Sequence, residues 1–199
     1  MQPSDHILSS SQSLLIEREF IPQLEAMYNF AMHLTRYNEE ESNDLVQDAI
    51  FKACRAVEQY KEGTNAKAWL FTILKNAFIN RYREKLKHPD VEDIEKVFFK
   101  GGAEEKEGAH RAVDLRDDFF DKLLGDEVTT ALNSLSPDFQ TVIHLCDLQN
   151  FSYEEISSIL DIPLGTVRSR IHRARNLLKE KLRDYAVNNG YQDKRHSQH

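Results

Sequence analysis

SYEEISSILDIPLGTVRSRIHRARNLLKEKLR, residues 152–183, is the stretch on which the fold turns. Ser152 followed by Glu155 has capping-box spacing, in which a serine hydroxyl and a glutamate carboxylate each satisfy an N–H that a helix start leaves open. A helix from there reaches Leu160. Asp161 to Gly165, with Pro163 inside, reads as a tight turn, because proline breaks a helix at its own position. Thr166 is then expected to cap a long final helix. At ~100° per residue, Val167, Ile171, Ala174 and Leu178 share one narrow sector, the core side. The opposite sector holds Ser169, His172, Arg173 and Asn176, with Arg168 at its edge and Arg170 and Arg175 flanking. A short capped helix, a turn and a longer basic helix make a helix-turn-helix.

That opposed face has the chemistry of base reading. Arginine pairs with guanine in bidentate fashion, while Ser, His and Asn offer donors and acceptors to base edges. The flanking arginines, Lys179 and the helix amino termini suit phosphates. Basic helix faces are often merely solvated, and a lone surface histidine is usually ordinary. The position directly after a capped turn favours duplex DNA.

Working outward, Val128 to Leu135 reads as a short helix, and Ser136-Pro137 as the cap and first turn of another through Leu148. Three helical stretches precede residue 90. Leu14 to Arg36 is interrupted near Pro22, Asn43 to Tyr60 has Ser42 or Asn43 as its cap, and Asn65 to Lys87 ends at His88-Pro89. In the second, Val46, Ile50, Ala53, Val57 and Tyr60 recur as a packing seam. Asp44, Gln47, Asp48, Lys52 and Arg55 lie largely elsewhere, on an outer face that is either simply wet or protein-binding. In the third, Ala66, Leu70, Ile73 and Ala77 form the buried side. Lys67, Lys75, Asn76, Asn80, Arg81, Arg83, Lys85 and Lys87 give a basic, amide-rich side suited to single-stranded DNA. Trp69 offers a stacking surface, but in Ala-Trp-Leu it reads first as core.

Composition fits an all-α chain: 199 residues with seven glycines, five prolines and helical periodicity over long stretches. No apolar run approaches the about 18 residues that a membrane helix needs, and the polar, Ser-rich start does not resemble a secretion signal. A cytoplasmic protein is expected. Cys54 and Cys146 lie in apolar helical patterns without a second ligand at zinc spacing, and read as reduced core thiols. No nucleophile, metal cluster or phosphate loop is recognisable, so neither an enzyme nor a cofactor is expected.

The net charge of −7 argues against nucleic acid until its distribution is read. Residues 65–89 carry a net +5, and Thr166 to Arg183 holds seven bases against Glu180. Between them, residues 90–127 carry −7. Two basic helical segments separated by an acidic connector predict two DNA contacts on one chain. The expected layout is a flexible extension (1–15), a first helical domain (16–88), an acidic flexible linker (89–125), a second helical domain (126–185) and a flexible tail (186–199). The linker's Phe98-Phe99 and Phe119-Phe120 are too apolar for an inert spacer and have no assigned role.

A helix-turn-helix alone leaves repressors and activators open, and the first half narrows the choice. Asp44-Leu-Val-Gln-Asp-Ala-Ile-Phe-Lys-Ala resembles the helix by which extracytoplasmic-function sigma factors bind the clamp helices of RNA polymerase. Asn65-Ala-Lys-Ala-Trp-Leu-Phe-Thr-Ile-Leu-Lys-Asn resembles that family's −10 recognition and melting segment. Tyr153-Glu-Glu-Ile through Gly165-Thr-Val-Arg-Ser-Arg-Ile-His-Arg-Ala-Arg resembles its −35 reading motif. The motifs occur in the family's order, without its relatives' large middle domain. The resemblance implies a sigma region 2 bundle and a sigma region 4 helix-turn-helix. It implies core polymerase binding by Asp44, Gln47, Asp48, Phe51, Lys52 and Arg55. It implies that Lys61 to Lys67, including Asn65, form the loop that captures a flipped −10 base, with Asn76 nearby, and the basic side of the same helix adds Asn80 and Arg81 as −10 candidates. For the −35 duplex it points to Arg168, Ser169, His172 and Arg173, the face that the helical wheel selects, to which the wheel and the helix start add Asn176, Arg170, Arg175 and Thr166. The implied partners are core RNA polymerase, promoter DNA and an anti-sigma factor. The segment from Gly63 to Asn80 resembles a subgroup held by zinc-containing, redox-responsive anti-sigma partners, and any zinc would belong to the partner. Two other readings stay open: a conventional helix-turn-helix regulator, and an adaptor that binds polymerase without reading DNA.

Overall fold

Ser9 opens the first helix with a capping box: Gln12 N–H donates to Ser9 Oγ (3.2 Å) and Ser9 N–H to Gln12 Oε1 (2.8 Å). The computed structural model describes residues 8–86 and 126–190. Helix α1 (Ser10–Leu15) thus stands where a flexible extension is expected. The acidic linker with its Phe pairs, and residues 191–199 of the tail, lie outside the described residues.

The helical path continues through a π-helical turn (Ile16–Phe20) and a 3-10 turn (Ile21–Gln23) into α2 (Leu24–Leu34). Pro22 has no N–H to continue the regular ladder, and the changes of helical pitch carry the chain past it. Buried Phe20, Met27, Phe30, Ala31 and Leu34 face the core.

Arg36 and Tyr37 both take left-handed backbone angles (φ 56° and 62°), which turns the chain sharply. Helix α3 (Glu39–Arg55) is capped by Asn38, whose Oδ1 accepts from Glu41 N–H (3.0 Å). The cap expected at Ser42 or Asn43 is therefore displaced by one turn. Ser42 is buried inside the helix, its hydroxyl 2.7 Å from the Asn38 carbonyl and 2.6 Å from Thr35 Oγ1. Glu39, Glu40 and Glu41 crowd the first turn, where the helix dipole favours carboxylates. Leu45, Val46, Ala49 and Ala53 form the buried stripe, and Ile50 of the expected seam is only half-buried. A 3-10 turn (Val57–Gln59) ends this segment.

Helix α4 (Ala66–Leu86) is the centre of the molecule. Leu70, Phe71, Leu74, Ala77, Phe78 and Ile79 are all buried, and they spread over about half of the helix surface rather than one narrow stripe, with Asn76 and Asn80 exposed on the remaining face. α2 and α3 cover one flank and a helix of the second half covers another. Lys75, expected on the open basic side, is consequently buried at 7% exposure.

The second half comprises α5 (Asp126–Asn133), α6 (Pro137–Ile143), a π-helical turn (His144–Leu148), α7 (Tyr153–Leu160), α8 (Leu164–Lys181) and α9 (Arg183–Asn188). The Ser136 hydroxyl bonds the Asp138 carboxylate (2.6 Å) rather than a helix N–H. The Ser152–Glu155 capping box forms as read, with Ser152 N–H to Glu155 Oε2 at 2.7 Å and Glu155 N–H to Ser152 Oγ at 3.2 Å. Asp161, at φ 55°, closes α7 in the left-handed conformation. Pro163 precedes the first residue of α8, so Thr166 lies within the first turn, its N–H donating to the Pro163 carbonyl (2.9 Å). Thr166 is therefore not the cap. A proline already fixes the entry angle there, and its missing N–H is one that a helix start would leave open anyway.

Both expected helical domains are present, and they share one core. Phe71 of α4 meets Phe151 edge-on, with ring centres 4.9 Å apart. Ile156, Ile159 and Leu160 of α7 join the same apolar cluster as Phe30, Leu70 and Leu74.

Candidate nucleic-acid interface

Helix α8 is sorted by burial into the two faces that its sequence predicts. Val167, Ile171 and Ala174 are buried, and Leu178 packs against the satellite cluster of Leu135, Phe139 and Ile143. Arg168, Ser169, His172, Arg173 and Asn176 are exposed on the other side. His172 Nε2 and Asn176 Nδ2 lie 3.1 Å apart, and the Ser169 hydroxyl donates to the Thr166 carbonyl (3.0 Å). Thr166 itself is half-buried.

The flanking arginines differ from the expectation. Arg170 is only 4% exposed and pairs with Asp138 of α6 (3.3 Å). Burial pulls its pKa down against the opposing attraction of Asp138. It ties α8 to α6 rather than facing outward. Arg175 stays exposed, but Asp147 holds its guanidinium through two bonds, and the Asp147 carboxylate pushes its pKa up. Cys146 Sγ lies 3.4 Å from the same group.

In the first half, Asp44, Gln47, Phe51, Lys52 and Arg55 are exposed along α3, and Asp48 is half-buried. Phe51 is 61% exposed, with the Arg55 guanidinium 5.7 Å from its ring centre. Lys52 pairs with Asp48 (2.8 Å). Arg81 donates to the Asp44 carbonyl (2.6 Å) and approaches Asp48 (3.6 Å), so this expected −10 residue buttresses α3. Lys61, Asn76 and Asn80 are exposed. Trp69 packs between Phe20 (5.4 Å) and Tyr60 (5.2 Å), the core-side placement expected of it.

Asn65 and Lys67 are engaged across the domain junction. Asn65 Oδ1 accepts from Ala68 N–H (3.0 Å) at the start of α4, while its amide donates to Glu155. Lys67 Nζ donates to the Gln149 carbonyl (2.7 Å) and sits 5.0 Å from the Phe151 ring centre. Burial lowers the Lys67 pKa and Glu155 opposes that shift. The sequence reading recognises Glu155 as a cap and assigns no role to Gln149 or Phe151. Their pairing spans about 80 residues, and local periodicity carries no signal at that separation. Cys54 and Cys146 are free and half-buried, with burial raising both thiol pKa values.

Comparison with known proteins adds an independent line. The family models "Sigma-70 region 2" and "Sigma-70, region 4" match residues 22–87 and 125–178. The chain is 32% identical over 159 residues to the ECF RNA polymerase sigma factor EcfG of Rhodopseudomonas palustris, covering 79% of this chain and 78% of that one. The chain belongs to the extracytoplasmic-function sigma factors. It is thus an alternative sigma factor, a transcription initiation factor in which α2–α4 carry region 2 and α5–α8 region 4.

Among other relatives, the sigma-E factor of Haemophilus influenzae is 33% identical over 156 residues, covering 75% of this chain and 79% of that one. SigE of Mycolicibacterium smegmatis is 34% identical over 159 residues, covering 80% of this chain, which spans 56% of that longer protein. A solved sigma factor RpoE from Bartonella quintana, in complex with the anti-sigma factor NepR, is similar at 33% identity and a TM-score of 0.58, covering 84% of this chain and 96% of that one. Among the described residues, no helix is long and apolar enough to cross a membrane, and no cluster of three or more His, Cys, Asp or Glu forms a metal site.

Proposed function

We propose that this sigma factor grips a promoter at two points and docks on core polymerase through α3. The exposed Arg168, Ser169, His172, Arg173 and Asn176 read the −35 duplex in the major groove, with Arg175 at the flank on phosphate. Lys61, Asn65, Lys67, Asn76 and Asn80 receive the unstacked −10 strand, where amides and cations suit exposed bases and backbone. Asp44, Gln47, Phe51, Lys52 and Arg55 form the surface for core polymerase, with the exposed Phe51 as its apolar anchor. The catalytic chemistry belongs to the polymerase. The sigma chain contributes register and strand separation, because trapping an extruded base offsets an unstacking cost of a few kcal/mol.

The observation that carries this reading is the exposed, base-competent face of α8, opposite its buried stripe, on a chain that also carries region 2. The RpoE–NepR complex supports control by an anti-sigma factor. The finer reading, a zinc-containing and redox-responsive anti-sigma partner, rests on the segment from Gly63 to Asn80 alone. The cytoplasm, where the polymerase works, is the expected compartment. Permanganate footprinting of core polymerase plus this chain on a promoter-bearing genomic fragment tests the two-point grip. The expected result is reactive thymines in one −10 segment, abolished by base changes in either element. A fragment that is bound but never melted contradicts it.

A further inference from the structure

Region 2 and region 4 meet across a seam of stacked imidazoles and aromatic rings that promoter reading does not use. The rings of His33 (α2) and His144 (π-helical turn) stack with centres 5.1 Å apart and planes at 15°. Phe30 packs beside both, 5.5 Å from His144. His33 Nε2 lies 3.1 Å from the Thr141 hydroxyl, which itself donates to the Pro137 carbonyl (2.8 Å), so the neutral imidazole is the donor. His144 Nε2 lies 3.4 Å from the Gln149 amide nitrogen and accepts from it. A proton added at that nitrogen sets N–H against N–H. The titratable groups around the pair are Tyr37, which lines the same cleft, and the Lys67 cation; Glu155 faces Lys67 and Asn65 from α7. A small cleft of about 20 Å³ beside both histidines, room for about one water, gives protons a path from solvent.

The same seam holds Lys67, which is half-buried, and the amide of Asn65, which stays exposed to solvent. Glu155 holds the Asn65 amide, the Gln149 carbonyl holds Lys67, and the Phe151 ring lies across the Lys67 ammonium. A single strand has to displace the Glu155 and Gln149 partners before it can use these two side chains. We propose that the seam is an acid-labile clasp, tying Asn65 and Lys67 of the free chain to region 4 and opening when His33 and His144 take up protons. The masking half rests on the −10 role assigned to these two residues above.

The direction follows from proton linkage. His33 is half-buried by surface area, and the packed ring environment that excludes water around it holds its pKa down to about 4. His144 is held well below its ordinary value, by burial first and then by His33 and Lys67. Once the domains part, both imidazoles titrate near the ordinary value of about 6.5. The open form therefore binds more protons, so the clasp is at full strength above about pH 6.5 and weakens as pH falls toward 4. At pH 5.5 an exposed imidazole favours its charged form about tenfold, so His33 alone shifts the closed-to-open balance about tenfold and His144 adds in the same direction.

The test compares the full chain with the double variant H33F/H144F, which keeps the aromatic stack and removes both titrations. Small-angle scattering and far-ultraviolet circular dichroism are recorded at pH 7.5 and 5.5. Binding is read with a fluorescein-labelled oligonucleotide of the non-template strand melted in the footprinting experiment. The expected result is a wild-type chain that expands at pH 5.5 with its helix signal intact and gains at least tenfold in oligonucleotide affinity relative to the variant, which stays compact. The single variants H33F and H144F each lose part of the response, which keeps the test decisive if the double variant does not fold. A wild-type chain that stays compact at pH 5.5, or variants that expand equally, overturns the clasp. Expansion without any gain in affinity overturns the masking and locates the fault in the −10 assignment of Asn65 and Lys67.

Discussion

Arg170 and Arg173 sit on the same helix, three residues apart, and their surroundings give them opposite tasks. Arg173 is exposed on the face with Ser169 and His172, whereas Arg170 is buried against Asp138. Arg173→Ala should weaken cognate −35 duplex binding by ~1–3 kcal/mol and relax one base preference. Fluorescence anisotropy on single-base variants reads this, and equal loss on every sequence would reduce Arg173 to a phosphate contact. Arg170→Ala removes a buried guanidinium and leaves the half-buried Asp138 carboxylate with Ser136 as a remaining partner, so about 2 kcal/mol of region 4 stability should be lost with base preference intact. Urea denaturation with the same duplex panel separates the two effects; an unchanged midpoint would remove the structural role. A helical wheel distinguishes faces by angle, and it places Arg170 at the flank of the outward sector. It does not contain Asp138, which comes from another helix and draws that flank inward.

At the scale of elements, the helix-turn-helix is legible because its signals are local. The Ser152–Glu155 box forms as read, and Asp161 turns the chain where the reading expects a turn. Ser152→Ala should cost about 1 kcal/mol of stability by leaving first-turn N–H groups unsatisfied. A shift in urea midpoint at unchanged slope is the expected sign, and no shift would show that the box is redundant. The helix starts at Asn38 and Pro163 are misread for a shared reason. Ser42 and Thr166 are good cap residues by type, but each lies within a first turn, and chain direction rather than residue type decides the cap. The π-helical turns at Ile16–Phe20 and His144–Leu148 carry no local mark that periodicity detects. The second matters most, since it places His144 against His33.

For the whole molecule, the all-helical class, the two regions and the exposed reading face follow from motif spacing and charge distribution. The joining of the two regions into one core does not. Phe71 and Phe151, Lys67 and Gln149, and His33 and His144 are each far apart in sequence, and each partner already looks satisfied within its own helix pattern. That joining explains why α4 is apolar on more than one side and why Lys75 is buried. It also leaves Arg168, Ser169, His172 and Arg173 of α8 exposed while Asn65 and Lys67 are bonded to the second half. The most direct test is in vitro transcription from genomic fragments by core polymerase with and without this chain. The expected result is initiation at discrete start sites only when the chain is present, lost when either promoter element is altered. The absence of promoter-dependent initiation from every fragment would contradict the account.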